Sequence, residues 1–549
     1  MITLSDAHKA ILERYNRPIV HLRQQIEEKR FGLLFGAGMS KSFGVPTWEE
    51  LVTLLSKDSE VNGQEVVQTV SPRASLPYKT EMLFEHYKKL RYNQSNQKEH
   101  NTRKLDYQIG SDWREIIRKY LYSDAADKIE DHLAKHEYLS TYLPLIGASR
   151  MTVTFNYDNF IEMAVSYLDR ENKSEARGFE TVTNPWPQFR RTTGIIYHPN
   201  GVIPRNPLET PSDRFVFSEA SYVEQLMGLY SGNPDWLVNH FSKTTCLFIG
   251  LSLNDDILRS VLAQSARSCP GNFHYYVQHI KDNEELTEQQ KHAIRLANFK
   301  VYNLITLFLH SGEIRIFGEL LDKNLYPTEP LCDLAESNDI KMHFPFYVTG
   351  ALGVGKSTTI NQFRNLIVYD EWVGERHPLL AKDWEELTDA EKEEADEWVI
   401  NQFHIKDEKL RRAREGIFLI DRGPLDPCTF TPSEEWQAKA RYILDELCPN
   451  RKWQVQKGKV ILFKGDHDEL ALRMISTRRT HYTSDKLEKM ELRIAEVYGT
   501  DGVINLDTSG LTPSEVTRRV AEIIHLEEHD PICNLHDRLE SIENGETSA

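Results

Sequence analysis

Phe31-Gly32-Leu33-Leu34-Phe35 runs straight into Gly36-Ala37-Gly38-Met39-Ser40. A short apolar run followed by a glycine-rich turn reads as a buried strand ending where the backbone must approach another group closely. Gly44-Val45-Pro46 comes next, and then Thr47 with Glu50 three residues on, the pattern of a capping box for a helix continuing through Leu55. Strand, glycine loop and helix in that order open an α/β unit whose loop can receive phosphate groups at a helix N-terminus.

Further apolar runs occur at Met151–Phe155, Thr193–Tyr197, Cys246–Gly250 and Phe273–Val277, each short and bounded by polar residues or glycine. Such runs, separated by helical stretches, predict buried parallel strands in a doubly wound sheet. Residues 320–345 lose periodicity and collect Pro, Asn and Asp, which predicts a boundary. The expected division is an N-terminal helix at 1–27, a first domain at 28–325, a linker at 326–343, a second domain at 344–528 and a mobile acidic tail at 529–549.

The second domain opens on another glycine loop. Gly350-Ala351-Leu352-Gly353-Val354-Gly355-Lys356-Ser357 fits G-x-x-x-x-G-K-[ST], follows an apolar strand and precedes a helix expected to reach about Leu366. The backbone of Gly350, Gly353 and Gly355 and the amides of Ser357 and Thr358 would surround a polyphosphate. Lys356 would neutralise it and Ser357 would hold Mg²⁺, making ATP with Mg²⁺ the expected ligand. Gly416–Ile420 reads as a strand delivering Asp421, Arg422 and Asp426, with Asp421 placed for the metal's water shell. Arg473, Arg478 and Arg479 follow another strand, where arginine could meet transferring phosphates; the competing reading is a solvated helix face. Val503–Asp507 reads as a last strand, before a capping box at Thr512–Glu515. Ala381–Ile400, with nine acids and two bases, reads as a solvated charged helix.

Composition narrows the classes. Of 549 residues, 40% are hydrophobic and 27% charged, ordinary for a globular protein and too apolar for a disordered one. Net charge is −17, with −3 on residues 1–330 and −14 on 331–549. That balance, with no basic stripe interleaved with aromatics, argues against nucleic acid as the partner, a local basic groove aside; the two glycine loops make small-molecule nucleotides the expected partners. The six cysteines include no C-x₂-C pair, so neither a zinc site nor a disulfide framework is indicated. The N-terminus lacks an apolar signal region and no apolar run is long enough for a membrane span, so the expected location is cytoplasmic.

The second domain resembles the nucleoside and nucleotide kinase branch of P-loop proteins over about 185 residues. In that branch an acid after the second strand acts as base, which would fall to Asp370 or Glu371 in Tyr369-Asp370-Glu371-Trp372; the family's usual Glu-Pro pair is absent. The first domain carries four elements in order: the Gly36 loop with Gly44-Val45-Pro46, Thr154-Phe155-Asn156-Tyr157-Asp158, Tyr197-His198-Pro199-Asn200-Gly201, and Gly250-Leu251-Ser252-Leu253-Asn254-Asp255. Together they resemble the zinc-free, sirtuin-like NAD-binding fold of bacterial anti-phage proteins over about residues 28–325. Two doubly wound α/β domains are therefore expected, a sirtuin-like Rossmann-type domain without a zinc module and a P-loop kinase-like one.

The resemblance implies an NAD⁺ hydrolase gated by a nucleotide-sensing domain, in an oligomer that answers a phage-derived trigger. An ATP-dependent kinase with a non-catalytic NAD-sensing or oligomerisation domain is the alternative. The resemblance makes Asn156 the water-positioning residue and sets Asp158 by the nicotinamide. Gly36, Ala37, Gly38, Ser40, Pro46, Gly250, Ser252 and Asp255 line the dinucleotide, although Asp255 reads equally as a helix N-cap. The residue matching the family's catalytic histidine is Asn200, and Asn is no base near neutral pH. Three outcomes stay open: His198 serves as base after a small loop shift, Asn200 only orients the ribose, or the cleft binds NAD without cleaving it.

Overall fold

A computed structural model describes residues 3–41, 43–71, 73–95, 102–125, 129–149, 151–171, 179–183, 194–209, 211–212, 215–230, 236–281, 283–382, 386–476 and 482–546. The chain divides into two compact α/β units, one taking residues 25–268 and 273–325, the other 1–24, 269–272 and 326–549. Among the described residues no helix is long and apolar enough to cross a membrane.

The first unit is built on a seven-stranded sheet. Its strands are β1 (Phe31–Phe35), β2 (Thr152–Thr154), β3 (Phe179–Val182), β4 (Gly194–Tyr197), β5 (Thr245–Ile249), β6 (His274–His279) and β7 (Leu304–Leu309). They lie in the order β3-β4-β2-β1-β5-β6-β7 and every pairing is parallel. All residues of β1, β5 and β7 are buried, as strands covered on both faces require. The order turns about β1, so the carboxyl ends of β1, β2 and β5 meet at the switch point where ligands of open α/β sheets sit.

The second unit holds five parallel strands: β8 (His343–Gly350), β9 (Ile367–Tyr369), β10 (Gly416–Asp421), β11 (Lys459–Lys464) and β12 (Val503–Asp507), in the order β12-β11-β8-β10-β9. Here β8 stands at the switch point and ends in the second glycine loop. The helix after that loop, Lys356–Ile360, is shorter than expected. Residues 361–366 turn away, bury Phe363 and Leu366, and feed β9 directly.

The expected N-terminal helix forms over Asp6–Glu27, and up to Gln24 it belongs to the five-stranded unit. There Arg17 donates to the Ile524 carbonyl (2.6 Å), His21 pairs with the Asn365 carbonyl (2.6 Å) and buried Arg23 meets Glu415 (2.9 Å). The expected linker contains helix Thr328–Glu336, with Leu331, Cys332 and Ala335 buried. The expected mobile tail contains helix Leu535–Glu543, whose Leu535, Leu539 and Ile542 enter the core with Ala440, Leu444 and Leu447. In both segments an i, i+4 apolar stripe outweighs the Pro, Asn and acidic residues around it.

Candidate functional sites

The seven-stranded unit gathers its candidate residues on the loops after β1, β2, β4 and β5. A Cβ on Gly36 would stand 2.5 Å from the Gly250 carbonyl oxygen, and one on Gly38 would stand 2.9 Å from Gly250 Cα. Gly250 itself has φ +66°, and a Cβ there would meet Met39 N at 2.8 Å. The N–H of Gly36 donates to the Ile249 carbonyl (3.1 Å) and that of Gly38 to the Gly250 carbonyl (2.9 Å). These glycines thus let two loops of the same chain close on each other, a demand the glycine pattern alone did not separate from phosphate binding. Ala37 and Gly38 remain exposed.

Asn156, buried just past β2, is pinned by that closure. Its Nδ2 donates to the Gly36 carbonyl (3.0 Å) and to Ser40 Oγ (2.6 Å). A carbonyl only accepts, so the amide orientation is set, and Oδ1 takes no hydrogen bond among the described residues. Asn200 repeats the device. Its Nδ2 donates to the Phe155 carbonyl (3.3 Å), its Oδ1 takes no hydrogen bond among the described residues, and its backbone carbonyl accepts from Val216 (2.9 Å). Two amide oxygens are thus held as acceptors without donors among the described residues.

Asp158 is buried, with Oδ1 accepting from Phe160 N–H (3.1 Å) and Oδ2 without a hydrogen-bond partner among the described residues. Burial lifts its carboxyl above the usual range, against the pull of the Ser40 hydroxyl and the Phe160 amide. His198 is fully buried and both ring nitrogens are engaged, Nδ1 with the Asn156 carbonyl (3.1 Å) and Nε2 with Glu162 Oε1 (2.7 Å). Burial alone would lower its pKa, but the Glu162 charge and hydrogen bond outweigh that and hold it above the ordinary value. The geometry thus leaves His198 no nitrogen for a substrate.

A wall of aromatic rings stands by the Asn156 loop. Trp48 stacks on Phe217 (5.8 Å), and Tyr157 packs edge-on against both. Tyr157 also donates to the Val216 carbonyl (2.7 Å). Pro46 is half-buried just before the Thr47–Glu50 capping box, which forms with both reciprocal bonds. Asp255 accepts from Leu258 N–H (3.0 Å) ahead of helix Asp256–Ser268, the N-cap alternative, while exposed Ser252 accepts only from Asn254 (3.2 Å). Glu162 was missed by sequence reasoning. It lies 36 residues before His198, and only the β2-to-β4 pairing joins them.

In the five-stranded unit, Lys356 Nζ is buried and donates to the carbonyls of Gly350 (2.8 Å) and Ala351 (2.9 Å) of its own loop. Burial, then the nearby Arg422, brings it down to about 8. Ser357 Oγ donates to Asp421 Oδ2 (3.0 Å), while Asp421 Oδ1 is buried without a partner, and burial raises the Asp421 carboxyl. Gly353 and Gly355 take φ +77° and +99°, conformations that L side chains rarely adopt. Thr358 lies in the short helix that begins at Lys356.

Arg422 stands at φ +65° and gives Nε to Glu371 (2.7 Å), with NH1 3.8 Å from Asp426. Of the two acids considered as base, Glu371 is in this cluster and Asp370 is exposed. Asp426 accepts from Thr349 (2.7 Å) and Tyr498 (3.2 Å). Lys406, from helix Asp389–Arg412, donates to the Asp421 carbonyl (2.8 Å), and burial brings it too to about 8. The helix thus runs on beyond the charged stretch 381–400, and its continuation sends a buried cation into the site. Its signal was the apolar pair Phe403 and Leu410 flanking Lys406. Arg473 reaches Glu469 and the Gly353 carbonyl (3.5 Å). Arg478 and Arg479 lie outside the described residues. No cluster of metal-ligating side chains occurs among the described residues.

Residues 150–302 match the SIR2-like domain family. The match spans β2 to the helix before β7 and is narrower than the expected 28–325, although β1 and the Gly36 loop complete the same sheet. It ties this unit to NAD-dependent enzymes and fits the neutral-amide site built there. No curated protein matches the chain. Among solved structures, the NadR protein in complex with NAD and AMP-PNP shows 11% identity and a TM-score of 0.27, over 72% of this chain and 93% of that one. The NadR protein in complex with NR shows 11% identity and a TM-score of 0.26, over the same shares.

Proposed function

We propose that the seven-stranded unit hydrolyses NAD⁺ to nicotinamide and ADP-ribose. The observation that carries this is the fixed amide of Asn156, whose Nδ2 is consumed by Gly36 and Ser40 and whose Oδ1 is left as an acceptor. Breaking the bond between ribose C1′ and the nicotinamide nitrogen releases neutral nicotinamide and leaves positive charge on the ribose. Water then adds at C1′ and loses a proton. A cationic sugar needs an oriented water more than a strong base. Asn156 Oδ1 would accept from that water, Asn200 Oδ1 would accept from a ribose hydroxyl, and the Trp48–Tyr157–Phe217 wall would help exclude bulk solvent. Asp158 would face the carboxamide, and the exposed Ala37–Gly38 turn would meet the pyrophosphate.

The five-stranded unit would bind ATP with Mg²⁺. Lys356 would leave its own carbonyls for the phosphates, and Ser357 with Asp421 would hold the cation, which the orphaned Asp421 oxygen suits. Bound Mg²⁺ would supply charge neutralisation. Nucleotide occupancy would gate NAD⁺ loss, which requires the active state to bind that nucleotide more tightly than the resting one. On this reading the protein is a cytoplasmic, oligomeric effector of anti-phage defence.

A second reading, phosphoryl transfer with NAD only sensed, is favoured by the Glu371–Arg422–Asp421 cluster beside Lys356. One assay separates the two: purified protein with NAD⁺, with and without ATP and a panel of nucleosides and nucleotides. Nicotinamide release that falls at least a hundredfold in Asn156→Ala supports the first. Phosphate transfer lost in Lys356→Ala, with NAD⁺ intact throughout, supports the second.

A further inference from the structure

His198 is the one histidine in the SIR2-like loops, and sequence alone makes it the stand-in base. The hydrogen bonds around it say otherwise. Nδ1 faces a backbone carbonyl, which can only accept, so Nδ1 carries a proton. Nε2 faces Glu162 Oε1, which also accepts from Thr181 Oγ1 (3.1 Å). The same distance would fit a neutral pair with Oε1–H donating to Nε2; the Glu162 charge and hydrogen bond, which outweigh burial and hold His198 above its ordinary value, favour the ion pair, with a proton on Nε2 as well.

We propose that Glu162 holds His198 as an imidazolium whose role is to position Asn156, not to take a proton from water. This rests on the NAD⁺-hydrolase reading. The ring is fully buried and donates to the carbonyl of the residue whose amide oxygen is the proposed water acceptor. The groups facing it are Glu162 from helix Phe160–Glu171 and Asp158 from the loop after β2, with the neutral Thr181 of β3 on the far side of Glu162. Tyr122 faces the same two acids, and burial keeps its phenol neutral. The counter-ion thus comes from a different element than the ring, and losing it would free the imidazole to shed a proton and turn away from Asn156.

Two measurements test this on the full-length protein. The first compares ring-nitrogen NMR spectra of histidine-labelled wild type and His198→Gln, which isolates the His198 signals. A cationic ring at pH 8 is expected, and a neutral ring at pH 7 overturns the proposal. The second follows nicotinamide release by wild type and Glu162→Gln, which keeps shape and removes charge. The variant should lose about ten- to a hundredfold in kcat at pH 8 with KM within about twofold. Its rate should recover only as pH falls well below 6.5 and His198 protonates, since burial then lowers the ring pKa, whereas wild type shows no such recovery. A purely structural Glu162 would not produce that pH-dependent rescue. Wild-type kcat and an unchanged pH profile in Glu162→Gln overturn the positioning role. Should Glu162→Gln fail to fold, the wild-type spectrum still decides the charge. Should wild type release no nicotinamide, the hydrolase reading and the positioning role fall together, while the spectrum alone judges the imidazolium.

Discussion

Both units place a glycine loop after a strand at the switch point of a parallel sheet, yet the two loops solve different problems. After β1, glycine permits contact: Gly36, Gly38 and Gly250 bring backbone against backbone, and the groups that result are amides held by carbonyls. After β8, glycine permits conformation: Gly353 and Gly355 take positive φ, and the groups nearby are buried charges, with Lys356, Lys406 and Arg422 set against Glu371, Asp421 and Asp426. On the function proposed above, the first site would take a substrate that is cationic at its reacting end, met by neutral amide oxygens. On the same proposal the second would take a polyanion, whose arrival would release cations now spent on the chain's own oxygens.

His198 and three buried histidines of the five-stranded unit differ in the same way, and pH offers the largest lever. In the five-stranded unit burial pushes His21, His343 and His529 down to about 4, with backbone hydrogen bonds opposing it. Folded, they stay neutral where the unfolded chain binds protons near 6.5. Their contribution is therefore present above pH 6.5 and lost as pH falls toward 4, on the order of 3 kcal/mol each. In the seven-stranded unit His198 is raised, so its ion pair contributes fully below pH 6.5 and is lost as pH rises through the folded value. Hydrogen exchange read peptide by peptide at pH 5 and pH 8 should show the five-stranded unit opening first in acid. Equal loss of protection in both units at pH 5 would break the contrast.

The glycines give the next test. Gly36→Ala should destabilise the seven-stranded unit by about 2–3 kcal/mol, because its Cβ meets immovable backbone at 2.5 Å. Gly355→Ala meets nothing within 4 Å and carries only the strain of φ +99°, about 1 kcal/mol. Thermal melts of the two variants should differ accordingly. A Gly36→Ala as mild as Gly355→Ala would mean that the loops part easily and that the first glycine cluster serves a ligand after all.

What the sequence made legible follows from range. Local signals came through: the runs at 31–35, 151–155, 246–250, 346–348 and 416–420 are strands, and the Thr47 and Thr512 capping boxes form. β3, β7 and β9 went unread. Ile367–Tyr369 is too short to show a period, and Leu304–Leu309, apolar throughout, cannot be told from a buried helix by pattern. The candidate site was legible as residue types and not as partners. Asn156 was named from its motif, but its hold on Gly36 and Ser40 spans more than a hundred residues. His198 could not be recognised as consumed until Glu162 was set beside it. Segment 326–343 and the tail misled because composition was weighed over an i, i+4 stripe in Leu331–Ala335 and Leu535–Leu539.

The smallest test asks whether the units differ in anything besides their sites. Thr47 and Thr512 each cap a helix with the full reciprocal pair, the hydroxyl accepting from the N3 amide and the N3 glutamate accepting from the cap amide at 2.7 and 2.8 Å. Thr47→Ala and Thr512→Ala should each cost about 1 kcal/mol, read as the loss of exchange protection in the helix that follows. Equal losses would place the contrast in the buried groups at the strand ends, since local helix building would then be equivalent on both sides. A markedly larger loss for Thr47→Ala would mean that its helix transmits strain to the Gly36 loop, which leads into it through Pro46, and the cap would then count as part of the amide site.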